Sequence, residues 1–105
     1  MAQFSDIVRA DGTCVLRVHG ESDLAVVGDL VNRLRDCLAR ANTVEVDFEG
    51  VTFIDSSGLG ALVLVSNEAA QQAKDLFLVK VSAATSRVFE LSGLHDSLVR
   101  QDAER

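Results

Sequence analysis

The 105-residue sequence has no tryptophan, tyrosine or proline, and five phenylalanines are its only aromatic residues. Proteins that bind single-stranded nucleic acid stack the bases on aromatic side chains, and this sequence has few of them. Positive charge is scarce as well, since ten Lys and Arg stand against sixteen Asp and Glu and give a formal net charge of −6. Phosphate backbones and anionic membrane surfaces repel such a chain. We therefore expect neither nucleic-acid binding nor direct membrane binding.

Long apolar runs are also missing, because no stretch approaches the roughly eighteen residues of a transmembrane helix. The first residues do not show the basic segment and apolar block of a secretory signal. No linker rich in Pro, Gly or Ser divides the chain. We predict one cytoplasmic domain over residues 1–105, ordered from about residue 4 to residue 99.

Cysteine is limited to Cys14 and Cys37, too few for a disulfide scaffold and without metal-ligand spacing. Cys14 alternates with Leu16 and Val18, and Cys37 lies on an apolar helical stripe. Both patterns are typical of small buried side chains. We predict buried, reduced thiols, with a redox pair as the alternative.

Apolar spacing predicts the element order β-β-α-β-β-α-β-α. Strands are expected at 4–10, 14–19, 43–48, 51–54 and 76–81, and helices at about 22–41, 56–73 and 83–92. Asp11-Gly12 favours a hairpin turn between the first two strands, and a second turn is expected at Glu49-Gly50. Each helix has one main apolar stripe, which predicts an α/β fold with a mixed four- to five-stranded sheet and helices mainly on one face.

The usual enzymatic motifs are missing. Gly58-Leu59-Gly60 is not followed by the third glycine of a dinucleotide loop or by a P-loop lysine. The two histidines stand alone, and we interpret them as a strand-edge His19 and a surface His95. We predict that the protein is not an enzyme and has no cofactor or metal.

One segment, Val51 to Gly60, gathers hydroxyls and a carboxylate where a short apolar strand becomes a helix. The positive end of a helix dipole favours an anion, so a phosphoryl group on Ser57 would be held there. Gly58 leaves the backbone open to an approaching partner. From the residues alone, Asp55 and the serines are equally typical of helix N-capping, for which we expect Ser56 to be used.

Three segments resemble the STAS domains of bacterial anti-sigma factor antagonists. The most specific is Phe53 to Gly60 (FIDSSGLG). Val18 to Ala25 (VHGESDLA) resembles the element before the family's first helix, and Arg87 to Leu94 (RVFELSGL) resembles its third helix. The segments follow in family order and cover nearly the whole chain, so the resemblance implies a STAS fold.

The resemblance also implies a phosphorylation switch. Ser57 would be the phosphoacceptor, Asp23 its acidic neighbour, and Asp55 and Ser56 would shape the loop; with Gly58 and Leu59 these residues would contact the partner. The unphosphorylated form would bind an anti-sigma factor that is itself a serine kinase and so free a sigma factor. Phosphorylation of Ser57 would end the complex, and a serine/threonine phosphatase would restore it.

Two other functions stay open on the sequence. STAS domains also serve as adaptor subunits of lipid-transport ATPase complexes or as scaffold modules, and these often need no phosphorylatable serine. A weak nucleotide-binding module at the same helix N-terminus is the third possibility. The intact Asp55-Ser56-Ser57-Gly58 segment favours the switch.

Overall fold

The computed structural model describes residues 2–100. The strands are β1 (Ala2–Val8), β2 (Cys14–Ser22), β3 (Thr43–Ile54) and β4 (Asp75–Val81). The helices are α1 (Val27–Arg40), α2 (Ser56–Gln71), α3 (Ala83–Ser92) and the four-residue α4 (His95–Leu98), and a 3-10 turn at Leu24–Val26 precedes α1.

The four strands form one mixed sheet in the order β1-β2-β3-β4. β1 is antiparallel to β2 across the Asp11-Gly12 turn, while β2, β3 and β4 are parallel to one another. Parallel neighbours need a crossover, and α1 and α2 supply one each. The predicted fold class is confirmed, with four strands in the sheet.

The predicted turn at Glu49-Gly50 is wrong, because β3 runs through it as one strand of 12 residues. Gly50 pairs with His19 of β2, next to a shift in the strand register. A Cβ atom at Gly50 would collide with the imidazole of His19. The glycine therefore serves close cross-strand packing. His19 also lies on an interior strand of the sheet and not on the predicted edge.

All three long helices share one hydrophobic core with a single face of the sheet. Val44, Val46 and Phe48 alternate along β3 and are fully buried against it. Phe48 meets Phe89 of α3 edge to face, with ring centroids 6.3 Å apart, a geometry that aromatic pairs prefer. The helices thus form one layer, as the stripe pattern predicts.

The opposite face of the sheet carries charge. Glu45 and Asp47 are only 6% and 8% exposed. Arg9 lies 2.8 Å from Glu45 and Arg17 lies 3.6 Å from Asp47. These arginines cover the acids, because buried carboxylates require a charged partner.

No helix within residues 2–100 has both the length and the apolar character needed to cross a bilayer.

α1 and α2, the helices that follow β2 and β3, are held side by side by Arg35 and Glu68. Their guanidinium and carboxylate groups form two hydrogen bonds of 3.0 and 2.6 Å. Solvent screens an exposed pair of this kind, so it contributes little to stability.

Both cysteines are buried and free, as predicted. Burial, and after it the contact with Cys14, raises the pKa of the Cys37 thiol to about 12. Thiolates and not thiols react with alkylating reagents. Titration of the native protein with a thiol reagent should therefore label both cysteines slowly until denaturant is added. Rapid labelling of both in the folded state would contradict this and revive a redox role.

Candidate functional site

The candidate site lies where β2 and β3 end side by side. Because the two strands are parallel and Ser22 pairs with Ile54, the residues that follow them, Asp23 and Asp55, emerge at the same edge of the sheet. Binding sites in such sheets usually lie at the carboxyl ends of the parallel strands. The two acidic residues that the sequence singled out are thus brought to one edge by the strand register.

Asp55 is the N-cap of α2. Its Oδ1 accepts hydrogen bonds from the backbone N–H of Ser57 at 3.0 Å and of Gly58 at 3.2 Å. The backbone of Asp55 is extended, with φ −113° and ψ −174°, as capping requires. The carboxylate also sits at the positive end of the α2 dipole. The site for an anion at this helix end is therefore filled by the protein's own side chain.

The two serines differ in environment. The predicted capping role of Ser56 is wrong, because the extended residue is Asp55 and Ser56 already belongs to the helix, where its side chain is exposed. Ser57 is half-buried, and its hydroxyl donates a 2.5 Å hydrogen bond to Asp55 Oδ1. One hydroxyl is free in solvent, and the other is oriented by a carboxylate.

Hydrogen bonds keep Asp55 ionised. The Ser57 hydroxyl contributes most, and the backbone N–H groups of Gly58, Ser57 and Leu24 add to it, so the pKa of Asp55 is lowered although partial burial opposes this. A lowered carboxyl pKa contributes stability above the unfolded-state pKa of about 3.9, and this is lost as pH falls through the folded pKa. At neutral pH the Ser57 hydroxyl therefore faces a full negative charge.

Asp23 begins the chain segment that leads to α1. Its Oδ1 accepts the Ala25 N–H at 3.1 Å and caps the 3-10 turn. Its neighbour Ser22 contacts Asp55, since the Ser22 carbonyl accepts the Asp55 N–H at 3.3 Å. Its other neighbour, Leu24, has a backbone N–H that helps to lower the pKa of the Asp55 carboxyl. Asp23 and the Ser57–Asp55 pair thus belong to one loop cluster.

Gly58 differs from expectation. Instead of opening to a partner it is buried, and a Cβ there would lie 2.7 Å from Ser22 Oγ and 2.8 Å from Ile54 Cγ1. The missing side chain lets α2 begin directly on the ends of β2 and β3. Gly60 instead faces open space. Leu59 is half-buried against the core, so only part of its surface can contact a partner.

Two exposed apolar side chains beside the site were missed from the sequence. Leu24 is 72% exposed, and Phe53 is 49% exposed. The 3-10 turn before α1 changes the helical phase and turns Leu24 outward. Phe53 lies at a shift in the register of β2 and β3, so the alternation that starts at the buried Val51 does not predict its exposure.

Three parallel strands with one antiparallel edge strand, helices on one face and an Asp-Ser-Ser sequence at the start of α2 define a small α/β domain. The family model described as "Mlab, STAS domain" matches residues 5–100. The chain belongs to the STAS domain family.

Relatives and solved structures agree with this assignment. The anti-sigma-B factor antagonist of Staphylococcus aureus (strain NCTC 8325 / PS 47) is 33% identical over 82 residues, which cover 77% of this chain and 76% of that protein. The anti-sigma factor antagonist SpoIIAA in its unphosphorylated form is 26% identical with a TM-score of 0.79, over 97% of this chain and 91% of that one. The phosphorylated form of the Bacillus cell fate determinant SpoIIAA is 26% identical with a TM-score of 0.72. The match covers 97% of this chain and 95% of that one.

Proposed function

We propose that this protein is an anti-sigma factor antagonist that is switched by phosphorylation of Ser57. The unphosphorylated form binds an anti-sigma factor with serine kinase activity and thereby frees a sigma factor. Phosphorylation by that kinase ends the complex, and a serine/threonine phosphatase restores it. The protein acts by binding, and the catalysis belongs to its partners.

The observation that carries this proposal is the 2.5 Å hydrogen bond from Ser57 Oγ to Asp55 Oδ1. It fixes the hydroxyl at the first turn of α2 and directs its proton toward an anion, so the oxygen lone pairs are free for an incoming phosphoryl group. Positioning of a nucleophile is a large part of what phosphoryl transfer requires. The relatives support the same function, since they are anti-sigma factor antagonists and one is known in phosphorylated and unphosphorylated forms.

Phosphorylation changes this site in two ways. The Oγ atom loses the proton that it donates to Asp55, and a group with about −1.5 to −2 charges appears beside an ionised carboxylate. The chain already has a net charge of −6. Like-charge repulsion and the cost of burying the phosphate then oppose a close interface, while the core that holds the fold is not involved.

Leu24 and Phe53 give the proposed partner surface an apolar component. Both are exposed, and both lie next to the Asp23–Asp55 edge. Protein interfaces commonly combine such apolar anchors with a polar rim. We propose that the partner that covers Ser57 also contacts these two side chains.

Asp23→Ala tests the role of the neighbouring acid. The side chain caps only a three-residue turn, so we expect a stability loss of no more than about 0.5–2 kcal/mol and a folded protein by circular dichroism. The rate of Ser57 phosphorylation or the affinity for the kinase should nevertheless change. Asp29→Ala, an exposed acid in the first turn of α1, is the matched control. Wild-type behaviour of Asp23→Ala in both assays would remove Asp23 from the site.

The experiment that tests the function is reconstitution with a purified anti-sigma kinase and its sigma factor. Unphosphorylated protein should displace the sigma factor from the kinase, and protein phosphorylated with ATP should not. A phosphatase specific for phosphoserine and phosphothreonine should restore displacement. Failure of the unphosphorylated protein to displace the sigma factor at any concentration would reject the proposal.

A non-switching adaptor subunit is the second candidate, and the matched family model, whose description names Mlab, is the observation in its favour. The two functions make different demands on Ser57. An adaptor should bind its complex equally well as wild type and as Ser57→Ala, and co-purification should recover transport ATPase subunits in place of an anti-sigma kinase.

A further inference from the structure

Two thiols and a carboxylate meet away from the Ser57 site, under the edge strand of the sheet. Cys14 lies on β2, Cys37 on α1 and Asp6 on β1, and one ligand atom from each lies within 4.8 Å of the other two. Val8 pairs with Cys14 and Asp6 with Leu16 across the hairpin, so Asp6 and Cys14 are diagonal neighbours on one face. Asp6, Cys14 and Cys37 are far apart in the sequence, so the sequence alone does not indicate that they meet.

We propose that Asp6, Cys14 and Cys37 form a binding site for a thiophilic d10 divalent cation of the zinc and cadmium class. Two sulfurs and one carboxylate oxygen are ligands that such ions accept, and a fourth position is left for water or an exchangeable ligand. Zinc sites need ligand atoms about 2.0–2.3 Å from the metal. Sub-ångström movements of the three side chains would bring their ligand atoms to that distance.

Arg40 supplies the charge that a buried site of this composition needs. Two thiolates, one carboxylate and a divalent cation sum to one negative charge, after two thiol protons have passed to solvent. The Arg40 guanidinium lies 2.6 Å from Asp6 Oδ2 and 3.8 Å from Cys37 Sγ. Its positive charge makes the whole cluster neutral, which lowers the cost of burial.

The Asp6 carboxylate is not fully used by its ion pairs. Among residues 2–100, Oδ1 makes only a 3.8 Å ion-pair contact with Arg33, longer than a hydrogen bond, so the carboxylate keeps lone pairs for a cation. The Asp6 side chain is 23% exposed and that of Arg40 is 38% exposed, whereas the cysteines are 0% and 1% exposed. A cation would therefore enter past the Asp6–Arg40 pair and bind to the sulfurs behind it.

Binding would tie the helix α1 to the hydrogen-bonded hairpin of β1 and β2, to which α1 is otherwise held by packing and ion pairs. A ligand that binds only the folded protein stabilises it by mass action. With reduced, chelator-treated full-length protein we expect one Zn²⁺ per chain by titration calorimetry. At a hundredfold excess over Kd the melting temperature should rise by roughly 10 °C.

Variants separate this site from adventitious binding. Cys37→Ala and Cys14→Ala should abolish binding and the sulfur-to-metal charge-transfer absorption seen with Cd²⁺. Asp6→Asn, which alters a partly exposed side chain and keeps the protein foldable, should weaken binding by about tenfold or more. Asp36→Asn is the matched control, since Asp36 also contacts Arg40, at 2.9 Å, but lies outside the cluster. It should bind as wild type does.

Three results would overturn the site. One is the absence of stoichiometric Zn²⁺ or Cd²⁺ binding by the reduced wild-type protein. Another is equal binding by Cys37→Ala, which would place the metal elsewhere. The third is a melting temperature that falls when Zn²⁺ is added, which would show that the cysteines bind metal only in the unfolded chain. A Cys14–Cys37 disulfide detected after mild oxidation, together with no metal binding by the reduced protein, would assign the pair to redox chemistry instead.

Discussion

Ser57→Ala should abolish phosphate incorporation when the protein is incubated with its cognate anti-sigma kinase and ATP, and tandem mass spectrometry of the wild type should place the phosphate on Ser57 alone. The reason is local geometry. Only Ser57 has its hydroxyl directed by Asp55, through the 2.5 Å hydrogen bond. Ser57→Ala cannot be switched off and should bind the kinase constitutively. Ser57→Asp should bind weakly, although one carboxylate is an imperfect substitute for a dianionic phosphate.

Ser56→Ala is the matched control, one position away in the same turn. Because Asp55 and not Ser56 caps α2, this exposed substitution should change the free energy of unfolding by less than about 0.5 kcal/mol and leave the protein a good substrate. Phosphate found on Ser56, or full incorporation into Ser57→Ala, would show that the role of Ser57 is assigned to the wrong residue.

Gly58→Ala should lower the free energy of unfolding by about 1–3 kcal/mol, the usual cost of overpacking. The added Cβ would lie 2.7 Å from Ser22 Oγ and 2.9 Å from the Ser22 carbonyl oxygen, so relief requires movement of the backbone at the start of α2. That movement also displaces Ser57, and phosphorylation should slow. Urea unfolding and the initial rate of phosphate incorporation measure the two effects.

Gly60→Ala controls for helix propensity two positions further along α2. Nothing lies within 4 Å of a Cβ at Gly60, so the change should raise the free energy of unfolding by about 0.5–1 kcal/mol. Equal stabilisation by both alanines would mean that α2 does not pack against Ser22 as the structure shows.

A substitution at Ser22 tests whether the contact between Gly58 and Ser22 matters for steric or for polar reasons. It is 1% exposed, and its Oγ has no hydrogen-bond partner among residues 2–100. Removing a buried hydroxyl without a partner is close to neutral, because no hydrogen bond is lost. Ser22→Ala should therefore be tolerated alone, and it should recover part of the stability lost in Gly58→Ala.

Much of the fold could be predicted from the sequence because the apolar periods are regular. The strand predicted at 43–48 and the helix predicted at 83–92 are found in β3 and α3. The local signals are the alternation of Val44, Val46 and Phe48 and the left-handed Gly93 that ends α3. The break predicted at Gly50 failed for a tertiary reason. Glycine there accommodates the imidazole of His19 on the neighbouring strand, a contact that local turn preferences do not contain.

The candidate site was predictable as a set of residues but not as an arrangement. Asp-Ser-Ser at the start of a helix is visible in the sequence, whereas the choice between Asp55 and Ser56 as cap depends on where the extended backbone ends. The outward turn of Leu24 depends in the same way on the 3-10 turn before α1. The cluster of Asp6, Cys14 and Cys37 combines three elements distant in sequence, so only the folded chain reveals it.

The most direct test of the switch is the affinity of one anti-sigma kinase for the unmodified protein and for the same protein phosphorylated at Ser57, measured by calorimetry with a non-hydrolysable ATP analogue present. The proposed repulsion at Asp55 predicts that phosphorylation weakens binding at least a hundredfold, equivalent to about 2.7 kcal/mol. Equal affinities for the two forms would contradict the switch.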